Sequence, residues 1–107
     1  MEINQYKIVL VNLDPIVGSE IKKTRPCVII SPNEMNKYLN TVIIAPMTSK
    51  SKKYPTRVPV EHVNKKGWIV LDQIRTIDKQ RIIRTLDNLT ENEIQEVKLI
   101  LKEIFVD

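Results

Sequence analysis

The stretch TRPCVIISPNEMNKYLNTVIIAPMTS, residues 24–49, decides the fold of this chain. It contains two apolar runs, Pro26–Ser31 and Thr41–Met47, whose β-branched residues predict strands. Between them, Pro32 and Asn33 form a turn signal, and Asn33–Tyr38 has room for one short turn of helix. A strand, a tight connection and a second strand therefore set the pattern from which the rest of the chain is interpreted.

Three more runs on either side of this stretch also predict strands, at Tyr6–Leu13, Arg57–His62 and Trp68–Leu71. Pro59 lies inside the second of these and cannot donate a ladder hydrogen bond, so it places that run at an edge or a bulge. Several short strands at this spacing are typical of a small barrel or sandwich rather than of βαβ units. The sequence predicts a mainly β (α+β) domain.

The C-terminal segment, residues 91–105, predicts the one long helix. Thr90 can cap it, and Glu93 three residues later completes a capping box. Apolar residues then recur at steps of three and four, namely Ile94, Val97, Ile100, Leu101, Ile104 and Phe105. We expect this stripe to pack on the sheet and the outer face of the helix to be acidic.

Composition limits the possible functions. The 107 residues suit one domain, residues 1–107, and 42% hydrophobic with 28% charged residues is ordinary globular usage. Two glycines are too few for a Gly-rich phosphate loop. Residues 1–85 hold 15 Lys and Arg against 7 Asp and Glu, whereas residues 86–107 hold 2 against 6. The basic part suits a polyanion such as nucleic acid, or serves solubility alone; charge does not separate the two.

Targeting and metal chemistry find no support in the sequence. The N-terminus MEINQYK has no signal-peptide pattern and no apolar run is long enough to span a membrane, so we expect a cytoplasmic protein. The single cysteine, Cys27, is expected to be a buried, inert thiol. His62 is the only histidine, so a catalytic histidine pair is excluded, no three-ligand metal set is convincing, and His62 is expected to be an ordinary surface residue.

Arg25 is the first candidate for chemistry. It follows the turn-rich segment DPIVGSEIKKT, residues 14–24, and Pro26 pushes its backbone towards an extended form. A guanidinium held by such neighbours at the rim of a sheet can bridge two phosphate oxygens. The alternative is a surface arginine paired with Glu20.

Two other segments offer polar groups. Thr48 and Ser49 follow a buried strand and can donate to a phosphate, although hydroxyls at strand ends commonly bond their own backbone. The segment LDQIRTIDKQR, Leu71–Arg81, mixes charges with Ile74 and Ile77. Ion pairs between strands explain most of its charges as well as catalysis does.

Taken in order, LDPIVGSE, TRPCVIIS, APMTS and DQIRTIDKQRI closely resemble the MazF/PemK family of toxins from type II toxin–antitoxin systems. The resemblance runs from about Tyr6 to the C-terminal helix. It implies a small SH3-like β-barrel with a C-terminal helix, acting as a homodimer. It also implies metal-independent cleavage of single-stranded RNA, without a cofactor, to a 2′,3′-cyclic phosphate and a 5′-hydroxyl.

The same resemblance assigns roles to residues. Arg25 matches the arginine of the family's RP motif, Thr48 the threonine at the end of the next strand, and Glu20 the acidic residue of the GSE turn, so these three are the catalytic candidates. Residues expected to contact RNA are Ser19, Lys50, Lys52, Lys53, Tyr54, Asp72, Gln73, Arg75 and Lys79. Ser19 stands where some relatives have histidine, and a solvated loop tip also explains the lysine run at 50–53.

The predicted partners are RNA and a cognate antitoxin whose acidic, disordered segment folds onto the basic groove. Two alternatives stay open. One is a gyrase poison of the CcdB type, which resembles this family in fold and acts by binding alone. The other is an RNA-binding barrel that leaves its RNA intact.

Overall fold

A computed structural model describes residues 2–13, 24–51, 53–62 and 65–106 of the chain. Within these ranges the strands are β1 Lys7–Asn12, β2 Thr24–Ile29, β3 Thr41–Thr48, β4 Arg57–His62, β5 Lys65–Val70, β6 Arg75–Asp78 and β7 Ile82–Asn88. The helices are α1 Asn33–Tyr38 and α2 Glu91–Phe105, and short 3₁₀ turns lie at Leu71–Gln73 and Lys79–Arg81. No helix in these ranges is long and apolar enough to cross a membrane.

The strands form one curled antiparallel sheet in the order β4-β5-β3-β2-β1-β7, with β6 pairing to the first half of β3. This half-barrel with a C-terminal helix confirms the predicted fold class. Pro59 lies on β4, which ends the sheet, as its missing amide hydrogen requires. The sequence interpretation missed β6 and β7 because charged side chains interrupt both strands, and β7 has mostly exposed positions.

The central strands carry two apolar cores, one on each face of the sheet. One core contains Ile8, Val28, Ala45, Ile69 and Val97 among its members. The other contains Val9, Val11, Cys27, Val42 and Ile44 together with side chains from β6 and β7. Because β1, β2 and β3 are buried on both faces, their sequences are continuous apolar runs rather than alternating ones. Cys27 is fully buried, as expected.

Helix α1 is fixed to β3 by a buried polar pair. The Ser31 hydroxyl donates to the side-chain oxygen of Asn36, and the Asn36 amide donates to the Ser31 carbonyl oxygen at 2.9 Å. The amide of Ile43 in turn donates to the Ser31 hydroxyl oxygen at 3.0 Å. The connection between β2 and β3 is therefore held by satisfied hydrogen bonds, which is what burial of polar groups requires.

Helix α2 begins as predicted. The Thr90 hydroxyl accepts from the amide of Glu93, and the Glu93 carboxylate accepts from the amide of Thr90. Val97 is the fully buried residue of this helix. The predicted stripe is too long, since Ile104 is 38% and Phe105 is 69% exposed. Ile104 and Phe105 therefore continue the helical period without belonging to the core.

Candidate active site

Strand pairing brings Arg25 and Thr48 to the same end of the sheet. In the β2–β3 ladder Cys27 lies opposite Pro46, and Val28 lies opposite Ala45. The ladder ends at the first of these pairs, and Arg25 and Thr48 each lie two residues beyond it.

Both residues line one pocket of about 660 Å³ at this end of the sheet. Its apolar wall consists of Ile8, Leu10, Pro26, Met47, Val60 and Leu86. Its basic lining consists of Arg25, Lys65, Lys66 and Arg84, with Asp87 as the carboxylate and His62 beside it. The excess of positive charge on an apolar wall suits a ligand that carries phosphates and flat, unpaired bases.

Arg25 and Arg75 both act on the region around Cys27. Burial raises the pKa of the Cys27 thiol to about 12, and the charges of Arg25 and then Arg75 oppose that rise. Ile44 is opposite Arg75 in the β3–β6 ladder, so the two arginines come from strands on either side of the same stretch of β3. Arg25 and Arg75 therefore lie on the two strands that flank β3, and both act on the pKa of Cys27.

The Thr48 hydroxyl is held by its own loop. It donates to the carbonyl oxygen of Lys50 and accepts from the amide of Lys50, each at 3.2 Å. This is the local pattern typical of a threonine at a strand end. The contact fixes the side chain beside Ser49, which also lines the pocket. To donate to a ligand, the hydroxyl has to exchange its bond to the Lys50 carbonyl.

The loop that follows Thr48 is fastened by Asp72 and Arg57. The Thr56 hydroxyl donates to the Asp72 carboxylate at 2.9 Å, and Arg57 Nε lies 3.4 Å from the same oxygen. Arg57 also donates to Ser51 and stacks 4.7 Å from the centre of the Tyr54 ring. Burial would raise the pKa of Asp72, but the bonds from Thr56 and Arg57 outweigh it and hold that pKa below its ordinary value. Asp72 thus serves the loop as an ionised anchor.

The other predicted contact residues are scattered. Lys50, Lys53 and Gln73 are exposed. The backbone amide of Lys79 donates to Asn40, just before β3 begins, so Lys79 lies beside a residue that is about 26 Å along the chain from Thr48, at roughly 3.3 Å per residue. Of the predicted set, Ser19, Glu20 and Lys52 lie outside the described residues.

The expectation that His62 is an ordinary surface residue is wrong. Its side chain is 12% exposed, Nδ1 lies 2.8 Å from Asp87 and Nε2 lies 2.8 Å from Glu93. Val58 and Val60 are buried, and period-2 alternation places His62 on their face. The alternation of Val58, Val60 and His62 is the signal in the sequence that could have found this position. Lys65, Lys66 and Arg84 were also missed, because their strands were assigned short or not at all.

In the described part of the chain, no group of three or more His, Cys, Asp and Glu side chains is placed to hold a metal ion. The groups available for chemistry at the pocket are guanidinium, ammonium, hydroxyl, imidazole and carboxylate. Such a set can bind a phosphate, stabilise negative charge that develops on it and hold a proton.

The fold and the site together define a class of protein. It is a small antiparallel half-barrel with a capped C-terminal helix and a basic pocket at the strand ends. A family model described as PemK-like, MazF-like toxin of type II toxin-antitoxin system matches residues 4–105. The chain therefore belongs to this family of type II toxin–antitoxin toxins.

Solved structures agree with that assignment. The chain matches MazF in a MazE-MazF crystal structure from Deinococcus radiodurans with a TM-score of 0.84 and 25% identity, covering 97% of this chain and 96% of that one. It matches the Mycobacterium tuberculosis toxin MazF-mt6 with a TM-score of 0.78 and 22% identity, covering 92% and 95%. An endoribonuclease in complex with its cognate antitoxin from a mycobacterial species matches with a TM-score of 0.78 and 20% identity, covering 94% and 91%.

Proposed function

We propose that this toxin is an endoribonuclease that cuts single-stranded messenger RNA at a short sequence, without a metal ion, and so stops translation. The products are a 2′,3′-cyclic phosphate and a 5′-hydroxyl. The observation that carries the proposal is the meeting of Arg25 and Thr48 in one pocket whose charged residues are mainly basic. Family membership supports it, because endoribonuclease activity is typical of these toxins.

A cyclic product requires the 2′-hydroxyl to attack the neighbouring phosphorus while the bond to the 5′-oxygen breaks. The hydroxyl loses a proton, the phosphorus oxygens gain negative charge, and the leaving oxygen takes up a proton. Arg25 is the group for the second task, because its charge is permanent and its planar fork matches two phosphate oxygens. Thr48 adds a hydrogen bond to a non-bridging oxygen, in exchange for its bond to the Lys50 carbonyl.

Deprotonation falls to Glu20 in this proposal. Asp72, the lesser candidate, is the poorer base because its hydrogen bonds hold its pKa low and engage its oxygen with Thr56 and Arg57. A carboxylate with a lowered pKa accepts a proton less readily. Replacing Asp72 by Asn should therefore loosen the loop at 51–57 rather than abolish the proton transfer.

Single-stranded RNA is the substrate that this chemistry requires. A 2′-hydroxyl can attack in line only when the nucleotide leaves A-form geometry. Lys50, Lys53, Arg75 and the four basic residues of the pocket would follow the phosphates, and Tyr54 would stack on an unpaired base. The Tyr54 ring is 47% exposed and already supported by Arg57, so its position is set before RNA arrives.

The decisive experiment incubates the purified protein with a long RNA in EDTA and maps the ends of the fragments. Arg25→Ala and Thr48→Ala should each lower the cleavage rate about a hundredfold or more, the range seen when one fixed donor to a developing oxyanion is removed. Thr41→Ala is the matched control, since Thr41 begins the same strand that Thr48 ends. Intact RNA with the wild-type protein, or double-strand DNA breaks in the presence of gyrase, would overturn the proposal.

We further propose that the protein works in the cytoplasm as a homodimer and is neutralised by an antitoxin. The support is family membership and the antitoxin complexes among its structural relatives. An acidic, disordered antitoxin segment would find complementary charge on Arg25, Lys65, Lys66 and Arg84. Light scattering should give twice the mass of the chain. Salt should weaken antitoxin binding, and a charge-reversed pocket should abolish it.

A further inference from the structure

The curled sheet does not close on itself by backbone pairing. In the described strands the path begins at β4 and ends at β7, and no ladder joins these two edges. A side-chain contact crosses the gap: Nδ1 of His62, the last residue of β4, lies 2.8 Å from Oδ2 of Asp87 on β7. Nε2 of the same ring lies 2.8 Å from Oε1 of Glu93 on α2. One imidazole thus ties both sheet edges to the helix.

The contact geometry favours a charged ring. An imidazolium donates from both nitrogens, whereas a neutral imidazole donates from one and presents a lone pair at the other. Here both nitrogens face carboxylate oxygens. Glu93 cannot swing away freely, because the same oxygen accepts from the amide of Thr90 in the helix cap. A neutral His62 would therefore lose one of its two bonds and leave a carboxylate facing a lone pair.

The charges around the ring favour protonation overall. Asp87 on β7 and Glu93 on α2 touch it, and Glu61 is its neighbour on β4. The basic groups that share its pocket are Arg25 on β2, Lys65 and Lys66 on β5, and Arg84 on β7. Burial alone would lower the pKa of His62, but the hydrogen bonds and charges of Asp87 and Glu93 outweigh it and raise that pKa above its ordinary value.

The two strand edges that His62 connects also line the pocket that contains Arg25 and Thr48. Val60 and His62 line one side and Arg84, Leu86 and Asp87 line the other. Arg25 and Thr48 lie on the strands between these two edges. The distance between β4 and β7 therefore sets how widely the pocket opens in front of the groups that would act on the phosphate.

We propose that His62, as an imidazolium bridging Asp87 and Glu93, is a positioning residue that closes the sheet and sets the width of the pocket lined by Arg25 and Thr48. The inference rests on the proposed nuclease function for its effect on RNA, but not for the closure itself. When the ring loses its proton, the β4 and β7 edges are less tightly held. Cleavage then becomes less efficient, while the protein stays folded.

The first test uses the fact that the chain has one histidine. An NMR titration of ring-labelled protein reports His62 alone. The expected result is a pKa above the ordinary value of 6.5 in the folded protein, with both ring nitrogens protonated below that pKa. Asp87→Asn should lower that pKa. A value at or below 6.5, or no response to Asp87→Asn, would overturn the closure.

The second test measures kcat and KM on a fluorogenic single-stranded RNA between pH 6 and 9, for the wild type, His62→Gln and His62→Arg. Arginine keeps a permanent charge and several donors, so it should hold the bridge at every pH. We expect the ratio of wild-type to His62→Arg kcat/KM to fall about tenfold across the titration of His62. Misplacement by about 1 Å costs roughly a hundredfold, and a loosened bridge should shift the pocket edge by less than that. His62→Gln should show the low value throughout.

A purely structural role would shift the melting temperature but leave this ratio flat at 25 °C, and a flat ratio overturns the positioning role. If His62→Arg does not fold, the pH profile of kcat/KM for the wild type is compared with that of His62→Gln alone. Equal pH profiles overturn the positioning role. If the wild type cuts no RNA at any pH, the proposed function fails and the positioning role fails with it. The NMR titration then decides the closure by itself.

Discussion

Truncating Val97 to alanine tests whether α2 is held to the sheet by the contact that the structure describes. Val97 is fully buried in the core beneath the helix, among side chains that include Val58, Ile69 and Leu71. The substitution removes two carbons, about 1.6 kcal/mol of transfer free energy at about 0.8 kcal/mol each. The cavity that remains adds roughly another 0.5–1 kcal/mol, and the better helix propensity of alanine offsets about 0.5 kcal/mol.

The expected net loss in unfolding free energy is therefore about 2 kcal/mol. For a domain of this size that lowers the melting temperature by roughly 8 °C or somewhat more. Leu99→Ala is the matched control on the same helix, because Leu99 is 59% exposed and such a change costs within about 0.5 kcal/mol. Urea and thermal unfolding followed by circular dichroism measure both. Equal stability of the two variants, or a larger loss for Leu99→Ala, would refute the packing of α2 described above.

Four more outcomes are expected. Gly67→Ala should change the unfolding free energy by less than about 1 kcal/mol but slow RNA cleavage several-fold. The new Cβ would lie 3.1 Å from the Thr48 carbonyl oxygen and push it aside. An unchanged cleavage rate would contradict this. Arg25→Lys should keep RNA binding but lose most of the cleavage rate, since an ammonium cannot bridge two phosphate oxygens; full activity would argue against that bridging. Cys27 should resist iodoacetamide at pH 8 in the folded protein and react once unfolded, because burial raises its pKa to about 12; alkylation of the native protein would refute its burial. His62 should stabilise the fold fully below about pH 6.5 and lose that contribution as pH rises through its raised folded pKa. The melting temperatures of wild type and His62→Gln should therefore converge towards pH 9. Parallel curves of melting temperature against pH would exclude the bridge.

Secondary structure was predictable wherever neighbouring residues in one short segment specify it. The strands β1, β3 and β4 and the helix at Glu91–Phe105 were predicted to within one residue at each end, and β2 was predicted two residues too far along the chain. Runs of β-branched residues, prolines at strand boundaries and a capping box act through neighbours in the chain, so their effect can be predicted without knowing the fold. The same reasoning failed for β7, because charged and polar residues interrupt its apolar ones and most of its positions are exposed.

The candidate site was likewise predictable only in part: the sequence names some of its residues, but the fold decides which of them meet. Arg25 and Thr48 were named from motifs, but nothing in either motif says that they meet; that follows from the pairing of Cys27 with Pro46, a contact across 19 positions of the chain. His62 shows the limit more sharply. The sequence makes it a lone histidine on an edge strand, whereas the fold places Asp87 and Glu93, 25 and 31 positions away, on its two nitrogens.

The sequence by itself determined a mainly β chain with one capped helix, a basic body and a family resemblance that named Arg25 and Thr48. Tertiary structure alone decided that these two share a pocket, that Asp72 anchors a loop, and that His62 bridges the open edges of the sheet. The reason is physical: propensity, periodicity and capping are local, while register, burial and the field around a titrating group depend on which distant strands come to lie side by side.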